Sequence, residues 1–315
     1  MDWLSRRVSN LYSCANTCSA PETCLPPISC EPLPTIVPVQ CSGCVKPCPS
    51  HPVVPAHLKI DQSRPLQNTV PPYAIHLIIL TGKTDWAPHI EDEGLAASLI
   101  RAIEGRDKGA GMRPDDNIFH SIHEHDASPC RRIVVTNASL PSTQSTQRGG
   151  QDVILMPDNV IIANVTPRRA GQLLDFVFGK PSAFVTRPSP YQNLVLICGH
   201  GNKDRRCGTV GPMLQKSFQH SLQNADVKDT QVALVSHLGG SVLNTNHGHA
   251  FAGNLVVYTH HGQRAIWYGR VTPCFCDDIV HQTIKQDNVI EDLVRGVFET
   301  GHNKKPLCSS ASLEW

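Results

Sequence analysis

Apolar positions along the chain fall into short runs rich in β-branched residues, separated by a few stretches with helical spacing. Residues 74–80 form the first run, ended by Thr81 and Gly82, and predict a buried strand. Residues 91–103 follow with acids in the first turn, apolar side chains at 95, 96, 99, 100 and 103, and Gly105 as a stop, which predicts an amphipathic helix. Runs at 132–136, 153–156 and 160–165 predict further strands. Thr166 then offers a cap and Pro167 a first helical position for a helix over 166–178. Strand, helix, strands and helix make one α/β unit.

Residues 179–190 carry three prolines between two patterned regions and predict a domain boundary. The pattern then restarts with a strand at 193–197, a loop from Cys198 to Gly208, and a helix over 210–222 with an early proline. Strands are predicted at 231–236, 254–258 and 265–271, and apolar spacing over 277–298, with Gly301 beyond, predicts a closing helix. The expected organisation is an irregular Cys-rich tail (1–50), a first domain (51–180), a linker (181–190), a second domain (191–301) and a polar tail (302–315).

Composition narrows the function classes. A hydrophobic content of 40% with 17% charged residues describes a globular chain with polar, proline-rich segments. A formal net charge of +1 provides no field to gather nucleic acid or an anionic membrane surface. No apolar run approaches the roughly 18 residues of a membrane span. The first residues lack the apolar core of a secretory signal, so the 13 cysteines point away from a disulfide framework and towards metal, cluster or redox roles.

Three local signals are weaker than they look. Cys41, Cys44 and Cys48, with His51 as a fourth donor, have spacing compatible with zinc, but they sit in an irregular, proline-rich stretch where reduced exposed thiols are the simpler reading. Residues 80–84 resemble the end of a phosphate-binding loop, yet Leu77 occupies the place of its first glycine. His120, His123, His125 and Asp126 read as a solvated loop.

A stronger set lies in the second half. Cys198 and Cys207 bracket a glycine-flanked loop, His237 ends the next apolar run, and His249 opens the one after it. Taken alone, Cys198 reads as a small buried hydrophobe at a strand end. Two thiols and two imidazoles at the ends of apolar runs form a candidate metal or cluster set. An imidazole in place of a thiolate removes one negative charge and so raises the reduction potential of a cluster. Lys203, Arg205 and Arg206 are candidates to offset anionic charge or to meet an acidic redox partner.

The ordered series Cys-Gly-His-Gly-x-x-Asp-x-Arg-Cys-Gly from Cys198, then Gly-Pro, Ser-His-Leu-Gly-Gly, His-x-Phe-Ala-Gly-Asn and Trp-Tyr-Gly-Arg-Val-Thr-Pro resembles the sucrase/ferredoxin-like family, which includes the fungal actin-patches-distal proteins. The resemblance covers about residues 41–301 and implies an α/β fold of two thioredoxin-like domains. The first would lack a redox dithiol, and the second would be a thioredoxin-like ferredoxin holding one [2Fe-2S] cluster through Cys198, Cys207, His237 and a second histidine. Family members run His-x-Gly-Gly-His, whereas residues 241–248 intervene here; alignment on Ala-Phe-Ala-Gly-Asn254 favours His249, with His247 as rival. His200 lies inside the motif as a loop support.

The resemblance implies an electron carrier rather than a stand-alone enzyme, working with a redox partner that donates or accepts the electron. The final Leu313, Glu314 and Trp315 resemble the tail by which some cytosolic iron-sulfur proteins are recognised by the cytosolic assembly machinery, which argues for the cytoplasm over the mitochondrial matrix. Two other readings stay open. The same four donors suit a zinc-stabilised binding module. A thiol oxidoreductase needs an accessible Cys-x-x-Cys at a strand-to-helix turn, and the one such pair, Cys41 and Cys44, lies in the tail; Cys274 and Cys276 read as loop thiols.

Overall fold

The computed structural model describes residues 34–39, 51–106, 118–121, 132–181, 183–238 and 251–300. In chain order the elements are β1 (Ile36–Val37), β2 (Ile75–Leu80), α1 (Gly94–Glu104), β3 (Phe119–Ser121), β4 (Ile133–Ala138), β5 (Gln151–Met156), β6 (Val160–Val165) and α2 (Ala170–Val177). They continue as β7 (Thr186–Pro188), β8 (Asn193–Cys198), α3 (Arg205–Asn224), β9 (Thr230–Val235), β10 (Leu255–Thr259) and β11 (Arg264–Tyr268). A helical turn (Cys276–Asp278) that widens into a π-helical segment (Ile279–Lys285), then β12 (Val289–Ile290) and β13 (Val294–Thr300), complete them.

Eleven strands form one mixed sheet in the order β3-β13-β11-β10-β8-β9-β4-β2-β5-β6-β7. The same arrangement is built twice. In the first half β4 returns parallel to β2 after α1, while β5 and then β6 add antiparallel on the other side of β2. In the second half β9 returns parallel to β8 after α3, while β10 and then β11 add antiparallel on the other side of β8. The equivalent edge strands β4 and β9 meet antiparallel at Ala138 and Val235, which fuses the two half-sheets.

Alternation along each strand separates the two faces. On β8, Val195 and Ile197 point to the helices, where they join Leu99, Leu173, Leu214 and Phe218, while Leu194, Leu196 and Cys198 point to the opposite face. That second face curls inwards. The Trp267 ring nitrogen on β11 donates to the Tyr73 hydroxyl just before β2 at 3.0 Å, and the Phe119 amide on β3 donates to the Ala74 carbonyl at 2.9 Å. Strands from opposite ends of an eight-strand run therefore meet around one interior.

Several sequence expectations need correction. Residues 277–298 are not one helix. After Lys285 the chain turns into β12 and β13, and β13 pairs antiparallel with β11. Its apolar residues at 289, 290, 293, 294, 297 and 298 satisfy a helical period, but the β-branched side chains favour strand, and Gly296 disfavours helix, once a sheet edge is available. The helix placed at 210–222 begins at Arg205, so Cys207 lies in its first turn rather than in a loop. Of the acids expected in the first turn of α1, Glu93 is the flanking residue and Glu91 and Asp92 precede it. Thr166 flanks a short 3₁₀ turn without a side-chain cap bond. Ile36 and Val37, expected within the irregular tail, form β1 against β12, and the expected linker contributes β7 to the sheet edge. The cysteines at 14, 18, 24, 30, 41, 44 and 48, together with residues 123–126, 241–248 and 302–315, lie outside the described residues.

Candidate functional site

Cys198 ends β8 on the inward face and is 1% exposed. Its amide donates to the Asn254 carbonyl at 2.9 Å, and the Gly199 amide donates to the Val235 carbonyl at 3.0 Å, so the strand end is pinned on both sides. The chain then loops through residues 199–204 and enters α3. Asp204 caps that helix, accepting from the Arg206 amide at 2.8 Å and gripping the Arg206 guanidinium at 3.0 and 2.7 Å. The cap fixes the first turn and with it Cys207, whose thiol is fully buried and hydrogen-bonded to that of Cys198.

Close approach of α3 to the loop demands glycine. A Cβ on Gly208 would lie 2.4 Å from the Gly201 Cα, and one on Gly211 would lie 2.6 Å from the Cys198 carbonyl oxygen. The thiol pair is chemically unusual for this reason. Its hydrogen bond with Cys198, then burial, holds the Cys207 thiol well above the ordinary thiol range. A thiol in that state does not ionise in neutral solution by itself. A cation that takes the place of its proton removes the penalty, which is how thiolate metal sites form.

His237 stands two residues beyond β9, half-buried, with its Nδ1 3.2 Å from the Ser236 hydroxyl. Its partner histidine, whether His249 or His247, lies outside the described residues. Phe251 and Asn254, which follow that histidine, are buried, and the Asn254 carbonyl accepts from the Cys198 amide. Among the described residues no three His, Cys, Asp or Glu side chains converge as a metal-binding group; of the predicted set, the two cysteines are brought together there.

The first half braces the loop. His200, 1% exposed, donates from Nε2 to the carbonyls of Trp86 and Ala87 at 3.2 and 2.9 Å, while the Asn202 amide reaches Asp85 at 3.1 Å and its side-chain amide reaches the Trp86 carbonyl at 3.0 Å. His200 is thereby a support of the loop. The first half has its own topological counterpart of the site, where β2 ends and α1 begins; it carries no cysteine and instead holds a cavity of about 200 Å³ lined by Thr81, Lys83, Trp86, Asn137 and Gln151.

Two buried polar groups near the site are legible in the sequence only as interruptions of apolar runs. His76 sits inside β2 with Nδ1 2.5 Å from the Tyr258 hydroxyl and Nε2 2.9 Å from the Thr136 hydroxyl. Burial first, then the charge of His237 and that of Arg132, lowers its pKa to about 3. Arg295 interrupts the run of β13 and is held by Thr69 and Asn254. Elsewhere, His51 pairs with Asp277 at 3.1 Å, which gives that possible zinc donor another partner. Cys276 is buried, and burial pushes its thiol well above the ordinary range, the reverse of what an exchanging thiol needs.

The sequence profile of the sucrase/ferredoxin-like family matches residues 66–296. Altered inheritance of mitochondria protein 32 of Meyerozyma guilliermondii is 30% identical over 268 residues, covering 78% of this chain and 88% of the relative. The protein of the same name from Clavispora lusitaniae is 38% identical over 134 residues, a match that spans 42% of each chain. Actin patches distal protein 1 of Saccharomyces cerevisiae is 27% identical over 254 residues, covering 73% of this chain and 74% of the relative. No solved structure matches.

Proposed function

The chain belongs to the sucrase/ferredoxin-like family, and from that premise we propose that it is an electron carrier holding one [2Fe-2S] cluster through Cys198, Cys207, His237 and His249, with His247 as rival for the last position. The observation that carries this reading is the thiol pair, buried and in mutual contact where β8 ends and α3 begins, with His237 at the end of the neighbouring strand. The donor set fits the group. The Cys207 thiol, too costly to ionise alone, would be held as a thiolate against iron, and half-buried His237 would supply an imidazole donor.

When bound, the cluster supplies a one-electron couple. The residues of the chain do the rest: the Asp204 cap and the glycines set the distance between the thiols, and the Asp85–Ala87 segment keeps the loop closed through His200 and Asn202. Each half is read as a thioredoxin-like domain, the first without a dithiol; the repeated strand order supports this. A redox partner follows from the reading, since an electron carrier needs a donor and an acceptor. Leu313, Glu314 and Trp315 are proposed as the signal to the cytosolic assembly machinery, and the cytoplasm as the location. Among the described residues no helix is long and apolar enough to cross a membrane. The relatives named for mitochondrial inheritance make the matrix the alternative that fractionation has to decide.

Anaerobically purified protein is expected to contain about two irons and two sulfides per chain and to give an electron paramagnetic resonance signal after reduction. Stoichiometric zinc without sulfide would establish the zinc-stabilised module instead.

A further inference from the structure

Two arginines of the second half are fully buried, and they are treated differently. Arg264 is paired with Asp287 and Glu299. Among the described residues Arg295, 1% exposed, meets neutral acceptors: its Nε donates to the Thr69 hydroxyl at 3.0 Å, its Nη1 to the Asn254 side-chain oxygen at 3.0 Å, and its Nη2 to the Thr69 carbonyl at 3.3 Å. The Phe251 ring adds a face 5.1 Å away. Among the described residues no carboxylate lies within ion-pair distance of it. Burial pulls its pKa down to about 10, so the group is still a cation at neutral pH. A buried cation without a counter-ion is costly.

The Cys198 strand end offers a place for an offsetting negative charge. Asn254 accepts from Arg295 with its side chain and from the Cys198 amide with its carbonyl, so one residue joins the guanidinium to the thiol strand. The basic residues of the loop itself are less suited, because Lys203 and Arg205 are exposed and screened by salt.

We propose that Arg295 is the built-in countercharge of the Cys198–Cys207 site, and that its fixed cation raises the affinity of the site for an electron. The proposal rests on the [2Fe-2S] reading and assigns a positioning and tuning residue to it. With two thiolate and two imidazole ligands the oxidised cluster is near neutral, and reduction adds one negative charge. The electron comes from a one-electron donor, which is oxidised in turn, and no bond forms or breaks. Arg295, held in place by Thr69 and Asn254, would offset that added charge.

The test is voltammetry of the full-length, anaerobically purified protein, with iron and sulfide measured on every sample. Arg295→Gln is expected to lower the affinity for the electron roughly tenfold, about 59 mV for a one-electron couple. Asn254→Asp, which neutralises the guanidinium in place with a side chain of the same shape, is expected to lower it in the same direction, and covers the case in which Arg295→Gln does not fold. Arg295→Lys should recover most of the wild-type value, and Arg205→Gln, an exposed control, should barely change it. A loaded Arg295→Gln or Asn254→Asp protein with the wild-type potential, or equal shifts in Arg295→Gln and Arg205→Gln, would overturn the role of Arg295. A wild-type protein without iron and sulfide removes the cluster reading, and the proposal with it.

Discussion

The chemistry of His76 departs far from its ordinary behaviour. It is wholly buried between the hydroxyls of Tyr258 and Thr136, and its pKa of about 3 keeps it neutral across the physiological range. In the unfolded chain the same imidazole titrates near its usual value of about 6.5. The folded pKa is the lower of the two, so unfolding takes up a proton as the medium becomes acidic. Its stability contribution is complete above about pH 6.5 and is lost as pH falls towards 3, on the order of 5 kcal/mol over the whole span. Denaturant melts between pH 7 and pH 4 are expected to show that decline. His76→Phe should flatten it, while costing about 1–3 kcal/mol at pH 7 for each hydroxyl left unpaired; an equally steep decline in the variant would assign the acid sensitivity to other groups.

At the scale of elements, the first turn of α3 decides whether the two thiols meet. Asp204 supplies the cap, and the turn places Cys207 against Cys198. Asp204→Ala is expected to lower stability by about 1 kcal/mol and to reduce cluster occupancy. Asp204→Asn, which keeps the side-chain acceptor, should retain most of both. Denaturation midpoints and iron content read the two effects separately, and an alanine variant with full occupancy would show that packing of Gly208 and Gly211 is sufficient to seat the turn. The cap was legible in the Asp-x-Arg-Cys-Gly segment only in part. Glycines at 199, 201 and 208 suggest a loop, and the preference of Asp for the helix start becomes decisive only when Arg206 is seen to grip it. The same scale explains the misread closing helix: its apolar spacing fits two periods, and pairing with β11 chooses between them.

Across the whole molecule, the halves are joined in three ways. The sheet runs through β4 and β9, the inner face packs Tyr73 and His76 of the first half against Tyr258 and Trp267 of the second, and the loop after Cys198 is bonded to Asp85, Trp86 and Ala87. A structure divided at the expected linker would expose all three. The halves are therefore expected to unfold in one transition, so that Trp86 in the first and Trp267 in the second report the same midpoint in variants keeping each as the sole reporter. Separate midpoints would mean that the shared sheet edge transmits little stability.

What the sequence by itself determined is the mixed α/β character, the strands β2, β4, β5, β6, β8, β9, β10 and β11, and the candidate ligands Cys198, Cys207 and His237, because apolar period and motif order are local properties of the chain. It could not place Arg295 or His76 near those ligands. Tertiary structure decided that: the inward curl of the sheet brings β2, β8, β10 and β13 around one interior, and only there does a lone arginine or histidine in an apolar run acquire neighbours that fix its charge.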